Sequence, residues 1–168
     1  MRRSMLSFPA LILLSSLFSP SIFAQEPLTI SVKRISMEVA MKIAQAAIDT
    51  CRKERIQIAV TVVDRVGTPQ VMLRDVLTPD LAIRVSEQKA YTATVFNMAT
   101  SDMEKRFTGA YSVPKDPRLI VAGGGLPLTA GGRILGGVGV SGAPSGTQDE
   151  KCAKAGVAAV QEDLDMEE

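Results

Sequence analysis

The 168-residue chain contains no histidine and no tryptophan, and it has only two cysteines. Without histidine there is no base for a Ser–His or Cys–His catalytic pair. Ser141 and Ser145 therefore make no hydrolase site, and the Gly-Val-Ser-Gly run at 139–142 lacks a nucleophile elbow. Two cysteines and no histidine leave zinc short of its usual ligands. No Gly-Lys-Ser/Thr phosphate loop occurs. Charge of one sign is also missing: 19 Lys and Arg face 18 Asp and Glu, with no basic cluster. The electrostatic footprint of a nucleic-acid binder is absent. Aromatics are few, and three of the five phenylalanines lie before residue 25. The others, with both tyrosines, are Tyr91, Phe96, Phe107 and Tyr111, all within one short stretch. That stretch reads either as an aromatic satellite of an aliphatic core or as a patch for a flat apolar ligand.

Residues 1–24 have the pattern of a secretory signal peptide. Arg2 and Arg3 precede an apolar run from Leu6 to Phe18, shorter than the roughly 20 residues a bilayer span needs. Ala24 offers a small residue at the cleavage point, although Ile22 stands where a second small residue is preferred. The expectation is a periplasmic or secreted protein whose mature part, residues 25–168, is one domain. Loss of Arg2 and Arg3 takes the formal charge from +1 to −1.

The mature chain reads as helix, two strands, two helices, two or three strands, helix. Ser36 caps a helix to about Arg52, with Ile35, Val39, Ile43, Ala47 and Cys51 as its buried stripe. Ile56–Asp64 and Thr68–Arg74 form a hairpin across Asp64-Arg65-Val66-Gly67. Thr78-Pro79-Asp80 starts a helix reaching about Ala99. Ser101–Glu104 is a capping box for a short helix to about Phe107. Arg118–Ala122 is a strand. A second hairpin turns at Ala130–Arg133, and its second strand, Ile134–Ser141, is rich in glycine. Thr147–Glu150 caps the last helix, from Lys151 to about Asp163. Hairpins dominate, so the fold class is α+β with a mainly antiparallel sheet of four to five strands flanked by helices.

Several features invite chemistry. Gly137-Val-Gly-Val-Ser-Gly142 matches a dinucleotide fingerprint, but it begins inside a strand and no helix follows at once. Close approach of a backbone or a ligand explains its glycines better. Cys51 ends the first helix and Cys152 begins the last. In an exported protein they read either as a disulfide closing a loop of about 100 residues, worth up to ~4.7 kcal/mol on the chain-entropy model, or as two buried thiols. Leu81, Val85, Lys89, Thr92 and Phe96 share one helix face. Lys89 and Thr92 interrupt it: either the lysine snorkels and the threonine bonds back to the helix, or both face a pocket. Asp64, Asp75, Asp149 and Glu150 are explained locally by turns and helix starts.

The order Gly123-Gly124-Gly125-Leu126-Pro127, turn, Gly-x-Gly-Val-Ser-Gly-Ala, Asp149-Glu150, helix resembles the GlcG/HbpS family. So do Val63-Asp64-Arg65-x-Gly67, the strand ending Arg74-Asp75, and Lys89-Ala-Tyr-Thr-Ala93. The matches spread over about residues 37–160. That family includes extracellular haem-binding proteins and the C-terminal domain of PduO-type proteins. The resemblance implies a profilin-like domain assembled as a homo-oligomer, with a haem pocket beside the Lys89 helix and the glycine-rich loop. On that resemblance the ligand-binding candidates are Arg74, Lys89, Tyr91, Thr92, Phe96, Gly124 and Gly125. Lys89 and Arg74 would meet haem propionates, and Thr92 would contact the iron. The missing histidine removes the usual axial ligand and leaves Tyr91, Thr92, Met98 or a cysteine.

The functional expectation is an exported small-ligand-binding protein, with haem or a related tetrapyrrole as ligand. The alternatives are a non-catalytic oligomeric accessory of a membrane sensor or periplasmic enzyme, and an enzyme of small hydroxy-acid or diol metabolism.

Overall fold

The computed structural model describes residues 27–106 and 116–167. The signal-like segment, Phe107 and Tyr111 lie outside them. The described residues from Val32 onward cluster as one unit. Its elements are α1 (Met37–Lys53), β1 (Ala59–Asp64), β2 (Pro69–Arg74), α2 (Leu81–Phe96), α3 (Thr100–Arg106), β3 (Gly125–Ala130), β4 (Arg133–Ser141) and α4 (Gly146–Met166). The four strands form one antiparallel sheet in the order β2-β1-β4-β3. Helices α1 and α4 pack on one face, and α2 packs on the other.

Local chemistry explains most boundaries. Ser36 accepts the Val39 N–H and starts α1. The β1–β2 turn is organised by Asp64, whose Oδ1 accepts the N–H groups of Val66 (3.0 Å) and Thr68 (2.9 Å). The β3–β4 turn is Gly131-Gly132, both at positive φ, which gives a two-residue hairpin loop the twist its strands need. Asn97 adopts a left-handed conformation and ends α2.

The core lies between the sheet and the α1/α4 pair. Ile43, Ala47 and Cys51 of α1 meet Val60 and Val62 of β1, Val138 and Val140 of β4, and Ala153 and Val160 of α4. The two helices run antiparallel: the Cys51–Cys152 disulfide joins the end of α1 to the start of α4, and Lys42 pairs with Asp163 at the opposite ends.

The glycines of β4 determine how α2 lies on the other face. Gly137 and Gly139 are two residues apart, so they point the same way. A Cβ on Gly139 would stand 2.0 Å from the Ser86 carbonyl oxygen, and one on Gly137 would stand 2.9 Å from that of Ala90. The helix backbone thus lies directly on the strand. Gly139→Ala is expected to destabilise the fold toward the upper end of the ~1–3 kcal/mol typical of overpacking, because backbone rather than a flexible side chain must yield. Urea unfolding of the variant checks this.

This packing corrects the expected face of α2. The side chains that touch the sheet are small: Ala82, Ser86, Ala90 and Ala93 are buried, whereas Leu81 is 56% exposed. The helix begins at Leu81, capped by Asp80, so Thr78 and Pro79 precede its first turn. Arg118–Ala122 is not a strand. Its Ile120 N–H is taken by Thr92 Oγ1 (2.9 Å) rather than by a neighbouring strand. The cap of α4 is Ser145, which accepts the Gln148 N–H, and not Thr147.

Candidate functional site

Residues 66–69, α2 and 117–118 frame a cleft of about 400 Å³. That volume lies in the usual range of small-molecule sites. Its floor is the half-buried ring of Tyr91. Gly67, at φ +86°, lies against that ring: a Cβ there would come within 2.4 Å of Tyr91 Cδ2. The Asp64 turn therefore positions the aromatic floor through a glycine that no side chain could replace without strain.

Arg118 closes the cleft. Its guanidinium carbon is 4.7 Å from the centre of the Tyr91 ring, a cation–π distance. Asp116 holds it there: Arg118 Nη2 donates to Asp116 Oδ2 (2.6 Å), and Nε donates to Oδ1 (3.0 Å). Two bonds anchor the segment to α2. Gln88 Nε2 donates to the Pro117 carbonyl (2.5 Å), and Ile120 N–H donates to Thr92 Oγ1. Gln88 and Thr92 are one helical turn apart, so they present both anchors on the same side of α2. Arg84 and Glu87 complete the rim.

Hydrogen bonds from Arg118 hold the Asp116 carboxyl at about 2, below its ordinary 3.8. The native state therefore binds fewer protons than the unfolded chain between these values. The pair's contribution is present above about 3.8 and is lost as pH falls through about 2. In NMR titration the Asp116 carboxyl is expected to titrate near 2 in the wild type and to return toward 3.8 in Arg118→Gln.

The structure separates the other sequence candidates from this cleft. Lys89 is interior, with 4% of its side chain exposed. Its Nζ donates to Asp149 Oδ2 (2.7 Å) and to the Val140 carbonyl (2.9 Å). Asp149 Oδ1 in turn accepts the Ala143 N–H at 2.9 Å. Burial pushes the Asp149 carboxyl above its ordinary value, against the hydrogen bond from Lys89 that lowers it. Lys89 thus neither snorkels nor faces an open pocket; it ties α2 to β4 and α4. Asp149 is more than a helix-start carboxylate, because it is the buried counterion. Thr92 is fully buried and committed to Ile120. Gly124, at φ +119°, and Gly125 fit beneath Lys89, where a Cβ would meet Asp149, Val140 or the Lys89 backbone. Arg74 donates to the Thr78 carbonyl (2.7 Å). It lies five residues along β2 from Pro69, roughly 17 Å from that rim of the cleft. Phe96 is half-buried at the far end of α2 and does not line the cleft. Of the seven candidates, Tyr91 alone lines it. Arg84, Asp116 and Arg118 were not singled out as site residues from sequence, and Gly67 was read only as a turn glycine within the Val-Asp-Arg-x-Gly motif.

A wider trough of about 790 Å³ runs between β3 and α4. It has no aromatic floor, and its charged lining is mixed, Lys154 with Glu162 and Asp165. Among the described residues no group of three His, Cys, Asp or Glu could hold a metal ion, and no helix is long and apolar enough to cross a membrane.

The model of the family described as haem degrading protein HbpS-like matches residues 35–158. The chain belongs to this family. A double mutant of HbpS from Streptomyces reticuli superposes with a TM-score of 0.77 at 34% identity, covering 84% of this chain and 97% of that one. The crystal structure of a PduOC–haem complex superposes with a TM-score of 0.70 at 25% identity, covering 76% and 95%. In sequence the chain is 30% identical over 127 residues to the corrinoid adenosyltransferase PduO of Salmonella typhimurium, covering 71% of this chain and 37% of PduO. The HbpS-like domain thus corresponds to little more than a third of that enzyme. The α+β architecture of helices around a four-stranded antiparallel sheet matches these neighbours.

Proposed function

We propose that this HbpS-like protein binds haem or a closely related tetrapyrrole in the Tyr91–Arg118 cleft. The carrying observation is an aromatic floor bordered by two guanidinium groups, Arg84 and Arg118, in a domain whose solved relatives include a haem complex. A flat macrocycle with carboxylate arms needs a π-face to stack on and cations for its arms. With no histidine in the chain and both cysteines in a disulfide, the cleft would hold the macrocycle by stacking and charge rather than through a histidine or thiolate axial ligand. Bound haem would supply redox and oxygen chemistry; the protein's residues orient the ring and neutralise its arms.

The test is a haemin titration followed by absorbance. A saturable Soret shift at about 1:1 stoichiometry is expected, weakened at least tenfold in Tyr91→Ala. Equal affinity in wild type and Tyr91→Ala would remove this site from consideration. Thr92→Ala and Lys89→Ala are poor probes, since both side chains hold the fold together.

The reading includes export and self-association. Export is supported by the disulfide, which persists in oxidising compartments, and by the signal-like pattern of residues 1–24. N-terminal sequencing of protein from the periplasm or medium should begin at Gln25. Self-association is supported by two edge strands, β2 and β3, each with a single neighbour in the sheet. Sedimentation velocity tests it.

A further inference from the structure

The contact that closes the cleft has the form of an internal ligand. Arg118 spreads a flat cation over the Tyr91 ring, at 4.7 Å, on the face where a planar ligand would stack. Asp116 supplies the carboxylate, donated to by both Nε and Nη2 of the same guanidinium. The backbone beneath is pinned to α2 through Pro117 and Ile120. The Arg118 side chain is exposed, so it can swing away while its root stays fixed. The other charged groups on the rim are Arg84 and Glu87.

We infer that Asp116 and Arg118 form a built-in competitor that selects flat ligands bearing a carboxylate. Such a ligand displaces Asp116 from the guanidinium, takes the ring face of Tyr91 and leaves Arg118 paired. One two-pronged guanidinium–carboxylate pair replaces another, so the exchange costs little. A neutral flat ligand must also move Arg118 off the ring but gives it no partner in return. Asp116 therefore sets both the affinity and the selectivity of the cleft. This deepens the tetrapyrrole reading, on which its choice of cleft rests, but the exchange itself holds for any planar aromatic carboxylate.

Two probes separate the inference from that reading. Protoporphyrin IX, which lacks iron, is titrated by fluorescence; 2-naphthoate and neutral 2-naphthalenemethanol are titrated by NMR, monitoring the Tyr91 ring and the Arg118 Nε–H. Asp116→Asn in the full-length protein is expected to tighten 2-naphthoate about three- to tenfold and to leave 2-naphthalenemethanol within twofold. Arg118→Gln is expected to reduce the preference for the acid to what Arg84 alone supplies, and Asp116→Asn is expected to add nothing in that background. Failure of protoporphyrin to bind, with 2-naphthoate behaving as described, would overturn the tetrapyrrole reading and support the exchange. Weaker or unchanged 2-naphthoate binding in Asp116→Asn, or no binding of it to either protein, would overturn the exchange. Circular dichroism confirms that the variants are folded.

Discussion

Lys89→Met is expected to destabilise the protein by about 3–5 kcal/mol, because it leaves the Asp149 carboxylate buried without its cation. The pair lies at the junction of three elements: Lys89 from α2, the Val140 carbonyl from β4 and Asp149 from α4. Replacing both partners by apolar residues should recover most of the loss, since the desolvation penalty of the two charges disappears with them. The single variant also acquires a pH signature. Burial already raises the Asp149 carboxyl in the folded state, and removing Lys89 removes what lowers it. A raised folded value means that the native state binds more protons than the unfolded chain. The variant should gain stability as pH falls through that value and lose it as pH rises. Urea unfolding across the acid range would measure both effects. A Lys89→Met variant as stable as wild type at neutral pH would show that the interior tolerates the bare carboxylate.

Removing the Cys51–Cys152 disulfide carries the other large effect. The bridge spans 101 residues of sequence, and both cysteines are buried among the α1 and α4 core residues. On the chain-entropy model, opening such a loop costs up to ~4.7 kcal/mol. The double Cys→Ala variant is expected to approach this loss, and reductant should reproduce it only where the bridge becomes accessible. The start of α4 also carries Asp149, three residues before Cys152, so weakening there reaches the Lys89 pair. The two lesions are therefore expected to be non-additive, which a double-mutant cycle would detect. Strict additivity would mean that the helix start is held independently at the two points.

Much of the fold was legible because the responsible chemistry is local. Ser36 and its apolar stripe announce α1, Asp64 and Gly67 announce one hairpin, and Gly131-Gly132 announce the other. The misplaced boundaries share one cause. Thr78-Pro79 and Thr147 are sound helix starts by residue type, but Asp80 and Ser145 do the capping. Arg118–Ala122 reads as a strand from its apolar residues, yet a threonine hydroxyl on α2 takes the Ile120 N–H instead.

The candidate site was less legible, and α2 shows why. Periodicity gives the relative positions of side chains around a helix, but not which face meets which neighbour. Apolarity favoured the Leu81–Val85–Phe96 side. The face that packs is the small one, because Gly137 and Gly139 let the helix backbone lie on the sheet and exclude bulk. By itself the sequence determined the α+β class, the two hairpins, the turn glycines and the family resemblance, all carried by residues close in the chain. Tertiary structure alone decided that Lys89 is paired with Asp149, 60 residues away, and that Tyr91 is the candidate left facing the cleft. It also placed Arg118 over that ring, since such contacts join segments whose distance in sequence says nothing of their distance in space.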